Sequence, residues 1–330
     1  MKLALIGATG LVGQKMLEVI AEQQIGFSEL LPVASERSVG KQVFVFGKSY
    51  AVVSADEALE GTPELVLMSA GAAVSRKLAP LFVARGAVVI DNSSAWRRDE
   101  DKALVVPEIN ADRLKQGPQI VANPNCSTIQ LVMALKPLHG VFGIKRLVLA
   151  TYQSVSGSGQ KGMQQLEDEA LGKQSVQPAY PHPIHRNIIP HGGDFDASGY
   201  TTEEDKLVFE TRKILGDPNI AITATVVRVP VSGGHSIAAN IETDKPFDLE
   251  SVKQLLQAFP GIVVQDNPAE NLYPMPLFAA GKDEVFVGRI RRDFTIANGL
   301  NMWIVADNLR KGAATNAVQI AKYLIDNNLI

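Results

Sequence analysis

An α/β chain of two domains is what this sequence predicts, and three observations predict it. A buried-strand pattern, Leu3-Ala4-Leu5-Ile6, runs straight into a glycine turn and then into a helical pattern. Short apolar runs that end in glycine or small polar residues follow it through the first part of the chain. Beyond them the strand patterns lengthen and several alternate apolar with polar residues, as a sheet with one solvated face does. A length of 330 residues fits about two domains, and an apolar fraction of 46% fills their cores.

The turn after the first strand is Gly7-Ala8-Thr9-Gly10-Leu11-Val12-Gly13. Val12, Met16, Val19 and Ile20 then fall at helical spacing, and Gly26 lies beyond the expected end. Strand, glycine turn and helix in this order open a Rossmann-like dinucleotide-binding domain. Gly7 permits the tight turn, Gly10 admits a pyrophosphate to the backbone, and Gly13 lets the helix pack on the strand. The helix N-terminus then faces the phosphates. The second strand is expected to end near Pro32-Val33, ahead of Ser35-Glu36-Arg37-Ser38. Glu36 suits a ribose diol, whereas Ser35, Arg37 and Ser38 suit a 2′-phosphate. Three phosphate-compatible residues around one carboxylate favour NADP.

Lys41 to Phe46 and Ser49 to Val53 flank Gly47-Lys48 as a hairpin. Glu64 to Met68 leads into Ser69-Ala70-Gly71 and a helix, and Ala87 to Ile90 leads into Asp91-Asn92-Ser93-Ser94. Gln119 to Ala122 is read as the next strand of the series, followed by Asn123-Pro124-Asn125-Cys126-Ser127-Thr128 and the helical run Ile129 to Leu135. Cys126 is the one cysteine in the chain. A thiol at a strand-to-helix turn lies near a helix N-terminus, which favours the thiolate, the nucleophilic form. Ligands of open α/β sheets bind outside the carboxyl ends of the strands, so Cys126 falls on the ligand edge. The bland alternative is a buried structural cysteine.

The second half reads as a mixed α+β domain. Strands are expected at 146–153, 221–231, 236–243, 284–291 and 300–306, and helices near 159–172, 201–215 and 247–258. A last helix at about 310–327 returns to the first domain. The expected domains are 1–127 with 305–330, and 128–304. His235 follows Gly233-Gly234 between two strand patterns, a place equally suited to a structural or a catalytic histidine. His182, His185 and His191 surround prolines that prevent a helix from aiming two rings at one ion, so no metal site is expected. Arg97, Lys206 and Arg228 are the cations to follow. Arg228 lies in an apolar strand, where an unpaired charge is costly.

A net charge of -3 gives no basic footprint for nucleic acid. One cysteine excludes an internal disulfide framework and a cysteine zinc site. No apolar run is long enough for a membrane span, and Met1 to Gly7 is too short for a signal peptide. A cytoplasmic protein is expected.

These residues together resemble the aspartate-β-semialdehyde dehydrogenase family over essentially the whole chain. The matching stretches are Gly7 to Gly13, Ala34 to Ser38, Asp91 to Ser94, Val106-Pro107-Glu108, Asn123 to Thr128, Tyr152 to Gly157, Arg228 to Ser236, and Ala306-Asp307-Asn308 through Ala314. The resemblance implies reversible phosphorylating oxidation of L-aspartate 4-semialdehyde to L-4-aspartyl phosphate with NADP, a step toward lysine, methionine and threonine, in a homodimer. It implies Cys126 as the acyl-thioester nucleophile, His235 as acid/base and Gln153 as a substrate-orienting residue. Arg228 would bind the substrate carboxylate, and Glu204, beside Glu203, its amino group. Arg97 and Lys206 would hold phosphate, with Asn125 beside them. The cofactor would meet Gly7, Thr9, Gly10, Leu11, Val12, Gly13, Ser35, Arg37, Ser38, Ser69, Gly71, Ser156, Gly157 and Asn308.

Three other readings compete. A reductase of N-acetylglutamyl phosphate would share the Cys–His chemistry but would not need a carboxylate for a free amino group. A short-chain dehydrogenase needs Tyr with Lys four residues later, and none of Tyr50, Tyr152, Tyr180, Tyr200, Tyr273 or Tyr323 has it. A non-catalytic nucleotide-binding paralogue would share the fold alone, and the retention of Cys126, His235 and Arg228 argues against it.

Overall fold

The computed structural model describes every residue from Met1 to Ile330. The chain divides into two compact units, Met1–Asn125 with Ala313–Ile330, and Cys126–Gly312.

In the first unit β1 (Lys2–Ile6) is followed by α1 (Leu11–Glu22), β2 (Glu29–Val33), and the antiparallel pair β3 (Gln42–Val45) and β4 (Lys48–Ala51). Then come α2 (Ala55–Glu60), β5 (Leu65–Met68), α3 (Ala72–Ala84), β6 (Val88–Asp91), β7 (Ala103–Leu104), α4 (Pro107–Asn110) and β8 (Gln119–Ala122). The main sheet has the order β2-β1-β5-β6-β8-β7, and all its pairings are parallel. Every residue of β5 and of β6 is buried, as strands covered on both faces must be. The order reverses at β1, whose neighbours are β2 and β5. That is where an open α/β sheet leaves a crevice at its carboxyl edge.

In the second unit α5 (Cys126–Phe142) precedes β9 (Ile144–Gln153), α6 (Gly159–Ala170), α7 (Thr202–Leu215), β10 (Ala221–Arg228) and β11 (His235–Thr243). After these come α8 (Leu249–Ala258), β12 (Ile262–Val264), α9 (Pro276–Ala279), β13 (Val285–Asp293) and β14 (Gly299–Ala306). The sheet order is β10-β9-β11-β14-β13-β12. Its two outer pairs, β10–β9 and β12–β13, are parallel and the inner ones antiparallel, which makes it mixed. Helix α5 packs against β9, β11, β13 and β14 and is buried from Ser127 through Leu135, so it is apolar on nearly every side. Residues of β9 alternate between this buried side and an open side, where the Tyr152 and Trp303 rings meet at 5.4 Å. A π turn, Arg310–Ala314, leads into α10 (Thr315–Asp326), which contacts α1, α4 and β6 of the first unit.

Several expectations shift. Helix α5 starts at Cys126 itself, not at Ile129. β8 is not the next strand after β6 in the chain, because the two-residue β7 intervenes and adds to the outer side of β8. Two residues carry no periodicity to read. β10 ends at Arg228, three residues early. Pro230 has no N–H for a ladder, and Val231 N–H turns back to the Val229 carbonyl at 2.8 Å. Helix α2 was not expected, although Ser54 and Glu57 form a capping box that the sequence displays. No helix is long and apolar enough to cross a membrane.

Candidate active site

The glycine turn of the first unit is built for close approach. Gly7 has φ +89°, and a Cβ there would overlap the Ser69 carbonyl. Gly13 has no room either, because its Cβ would overlap the Gly7 carbonyl. Thus β1, β5 and α1 meet through bare backbone. The N–H groups of Gly7 and Ala8 both donate to the Val33 carbonyl, at 2.8 and 3.0 Å, tying the turn to the end of β2. No side chain caps the N-terminus of α1, and its first turn holds no acid. Thr9, Leu11 and Val12 are half-buried around it, and Gly10 is exposed as its N-cap. Such a terminus suits a phosphate. Gly71 has φ +81° and opens α3 beside Ser69. Past β2, Ser35, Glu36 and Arg37 are exposed, whereas Ser38 turns inward and is buried. Of the three residues expected at a 2′-phosphate, Ser35 and Arg37 remain open to one.

At the same strand edge the loop after β6 is tied down. Asp91 is buried, and burial holds its carboxyl above the usual range, against hydrogen bonds from Ser93 and Ser75 and the charge of Arg97. Ser93 Oγ donates to it at 2.6 Å. Arg97 is buried and donates to the Asn92 carbonyl at 2.9 Å. Asn123 Nδ2 donates to Asn92 Oδ1 at 2.7 Å, and Asn316 Nδ2 donates to Asn123 Oδ1 at 2.7 Å. The segment that runs through the buried Asn125 to Cys126 therefore leaves a fixed base.

In the second unit the expected residues gather at one end of the sheet. Gln153 ends β9, and Arg228 ends the parallel β10 directly opposite it. His235 begins the antiparallel β11, and Asn308 lies two residues beyond β14. Cys126, half-buried, opens α5 at this same end. Gln153 Nε2 donates to Ser127 Oγ at 2.9 Å, and Gln130 Nε2 donates to the His235 carbonyl at 3.1 Å. These bonds fix the first turn of α5 to β9 and β11. Gly312 packs on Cys126 so closely that a Cβ would lie 3.0 Å from the cysteine Cβ.

His235 is fully buried. Its Nδ1 accepts from the Ser154 backbone N–H at 3.1 Å and lies 3.1 Å from Ser154 Oγ. Burial first, and then the Arg228 charge, push its pKa down to about 3, while Glu203 and the Gly234 backbone oppose the shift. Such a shift favours the neutral ring in the ligand-free site. Beside it Gly157 lets the backbone pack closely on both side chains. A Cβ there would lie 2.7 Å from an Arg228 guanidinium nitrogen and 3.1 Å from His235 Nε2. His235 Nε2, Arg228 Nη1 and Gln153 Oε1 are buried with no hydrogen-bond partner. Buried polar atoms are nearly always satisfied, so three orphans at one end of the sheet point to a ligand.

Two expected ligands sit differently from the expectation. Glu204 is the third residue of α7, where its Oε2 accepts from Thr201 N–H at 2.7 Å in a capping box and its Oε1 accepts from Val226 N–H at 2.9 Å. Both oxygens serve the fold. Its neighbour Glu203 pairs with Lys206 one turn on, and it is Glu203 whose charge reaches His235. Asn308, expected at the cofactor, has its side chain in a buried network with Ser154, Ser156 and Gly234. Sequence reasoning missed Ser154, Gln130 and Gly312, and it set Glu203 beside Glu204 without choosing it. A capping-box reading of Thr201 and Glu204 would have pointed to Glu203. Nothing in sequence marks the other three. No group of three or more His, Cys, Asp or Glu side chains is arranged to hold a metal ion, and the His191 ring stacks on Phe195.

The chain is similar to known proteins over nearly its whole length. Residues 2–117 match the family model described as semialdehyde dehydrogenase, NAD binding domain, and residues 135–311 match semialdehyde dehydrogenase, dimerisation domain. The chain is 48% identical to an aspartate-semialdehyde dehydrogenase of Aquifex aeolicus, over 100% of this chain and 99% of that protein. It is 44% identical to the enzyme of that name from Bacillus subtilis, over 99% and 98%. Among solved structures, aspartate semialdehyde dehydrogenase II from Vibrio cholerae, complexed with ASA, superposes with a TM-score of 0.94 at 43% identity, covering 98% of each chain. The Candida albicans aspartate semialdehyde dehydrogenase with NADP gives 0.78 at 27% identity, covering 100% and 99%.

Proposed function

Because the chain belongs to the aspartate-semialdehyde dehydrogenase family, we propose that it interconverts L-aspartate 4-semialdehyde and L-4-aspartyl phosphate through a thioester on Cys126. The reading carries with it a place in lysine, methionine and threonine biosynthesis. The observation that supports it most is the trio of orphaned polar atoms of Gln153, Arg228 and His235 at one end of the second sheet. Arg228 offers its free guanidinium nitrogen to the substrate carboxylate. Gln153 orients the carbonyl carbon that Cys126 attacks, and the α5 N-terminus favours the thiolate. Glu203, rather than Glu204, takes the substrate ammonium, because the carboxylate of Glu204 is already engaged at both oxygens. A carboxylate for a free amino group favours aspartate semialdehyde over an N-acylated substrate. Arg97 and Lys206 hold phosphate.

The glycine turn and the uncapped N-terminus of α1 fit a dinucleotide pyrophosphate, and exposed Arg37 and Ser35 fit a 2′-phosphate, so the cofactor is NADP. NADP supplies the hydride acceptor. The half-exposed Tyr152–Trp303 face of the second sheet, in a segment matched by a dimerisation-domain model, supports a homodimer.

The test is absorbance at the NADPH band with enzyme, NADP and aspartate semialdehyde, with and without phosphate. Sustained turnover is expected only with phosphate or arsenate. Equal turnover without either would replace the acyl-phosphate product with a hydrolytic one.

A further inference from the structure

Between α6 and α7 the chain runs through residues 171–201 with no helix and only isolated bridges. Prolines at 178, 181, 183 and 190 remove backbone donors and keep the segment from pairing as a regular strand. Two side chains one helical turn apart on α6 hold it instead. Gln165 Oε1 accepts from the N–H groups of Ala179 and Tyr180 at 2.7 and 3.0 Å. Glu169 Oε2 accepts from those of Ile184 and His185 at 2.7 and 2.8 Å. Gln165 Nε2 joins the pair by donating to Glu169 Oε1 at 2.8 Å. Burial works against the Glu169 charge, but bonds from the His185 backbone, the Gln165 side chain and the Ile184 backbone hold its carboxyl below the usual range. It therefore accepts as a carboxylate, the stronger form of acceptor. Gln165 is buried, and Tyr180, Ile184 and Ile189 of the segment pack with Val155.

The segment held in this way reaches two residues of the proposed reaction. β10 is the edge of its sheet, and on its open side Arg228 pairs with Ile189. Ile189 N–H donates to the Arg228 carbonyl at 3.0 Å, and Arg228 N–H donates to the Ile189 carbonyl at 2.8 Å. Three residues on, the Gly192 carbonyl accepts from Glu203 N–H at 3.2 Å. A Cβ on Gly192 would lie 3.1 Å from the Glu203 Cβ, so strap and helix touch through bare backbone. One strap thus fixes the main chain of the residue assigned to the substrate carboxylate and of the one assigned to its ammonium.

We infer that Gln165 and Glu169 are positioning residues for substrate recognition, which through the strap of residues 179–192 hold Arg228 and Glu203 where they receive the carboxylate and ammonium of an α-amino acid aldehyde. This rests on the thioester reading above for the identity of the substrate. The pair acts through the strap and not on the reacting carbon, which gives it a distinct kinetic signature. When only the closed strap binds substrate, KM rises by the inverse of the closed fraction, whereas saturated enzyme is closed and keeps its kcat.

Three measurements on the full chain decide it. Hydrogen exchange read by mass spectrometry needs no substrate. In Glu169→Ala the peptides that span 179–192 and Arg228 should exchange at least roughly tenfold faster than in wild type, while those of β11 and β14 keep their rates. Unchanged exchange at 179–192 overturns the anchor, and faster exchange throughout the chain overturns it in favour of a general loss of stability. In steady state Glu169→Ala should raise KM for aspartate semialdehyde roughly 5- to 50-fold and leave kcat and the KM for NADP within about twofold. An equal loss in kcat, or an unchanged KM despite faster exchange, overturns the positioning role. The double variant Gln165→Glu with Glu169→Gln reverses the donor and the acceptor of the pair and still turns an oxygen toward each set of N–H groups. It should recover most of the wild-type KM, and a KM as high as that of Glu169→Ala overturns the role of the pair. If aspartate semialdehyde is not the substrate, wild type itself fails to turn it over, and the exchange result stands.

Discussion

Gln153 at the end of β9 donates to Ser127, the residue after Cys126, across 2.9 Å. This one bond couples the last rung of the second sheet to the first turn of the nucleophile's helix. It leaves Gln153 Oε1 buried and unpaired.

An unpaired buried acceptor costs about 1–3 kcal/mol, so its removal relieves the ligand-free protein. Gln153→Leu is expected to leave stability to urea within about 1 kcal/mol of wild type or above it, while kcat/KM falls roughly 10- to 100-fold, or about 1.4–2.8 kcal/mol. Denaturation curves and steady-state kinetics on the same preparation read both. Activity that falls only in step with stability would make Gln153 a structural residue.

Stability should depend on pH through His235. An ordinary histidine takes up a proton near pH 6.5, whereas folded His235 stays neutral down to about pH 3. Between these values the unfolded chain binds a proton that the folded chain does not, so acidification destabilises the fold. The loss approaches about 1.4 kcal/mol per pH unit from this group, begins below pH 6.5 and vanishes above it. Urea denaturation of wild type and His235→Gln from pH 8 to pH 5 should give a shallower acid slope for the variant. Identical slopes would mean that the ring is not held neutral.

Arg37 is exposed just beyond β2. Loss of a charge-assisted contact to a 2′-phosphate is expected to cost about 1.5–3 kcal/mol, or roughly 10- to 150-fold. In Arg37→Ala, kcat/KM for NADP should drop by this factor while that for NAD changes little. An unchanged ratio would assign cofactor choice to other residues, with Ser35 the next to replace.

The first unit was legible because its signals are local. Gly7 and Gly13 each answer a backbone demand that only glycine meets, and buried parallel strands such as Leu65–Met68 are continuous apolar runs. The second unit gave up its long strands for the same reason but hid β12, as the first unit hid β7, both too short for a period. At the site, Cys126 was visible from its neighbours in the chain. His235 was not decidable, because what makes it special is Ser154 N–H, a backbone group brought to it by the β9–β11 pairing. Backbone donors leave no mark on residue identity. Glu204 misled for a related reason. A carboxylate three residues after Thr201 is a helix cap, and that local role takes the side chain from the site.

A covalent acyl group on Cys126 that only phosphate removes at speed is the core of the proposed reaction. The direct measurement mixes enzyme, NADP and aspartate semialdehyde without phosphate, follows NADPH in the first turnover, and then weighs the peptide that contains Cys126. The account predicts a burst of about one NADPH per Cys126, an acyl adduct on that peptide, its discharge when phosphate is added, and neither burst nor adduct in Cys126→Ser. Steady NADPH formation without phosphate and an unmodified Cys126 peptide would contradict it.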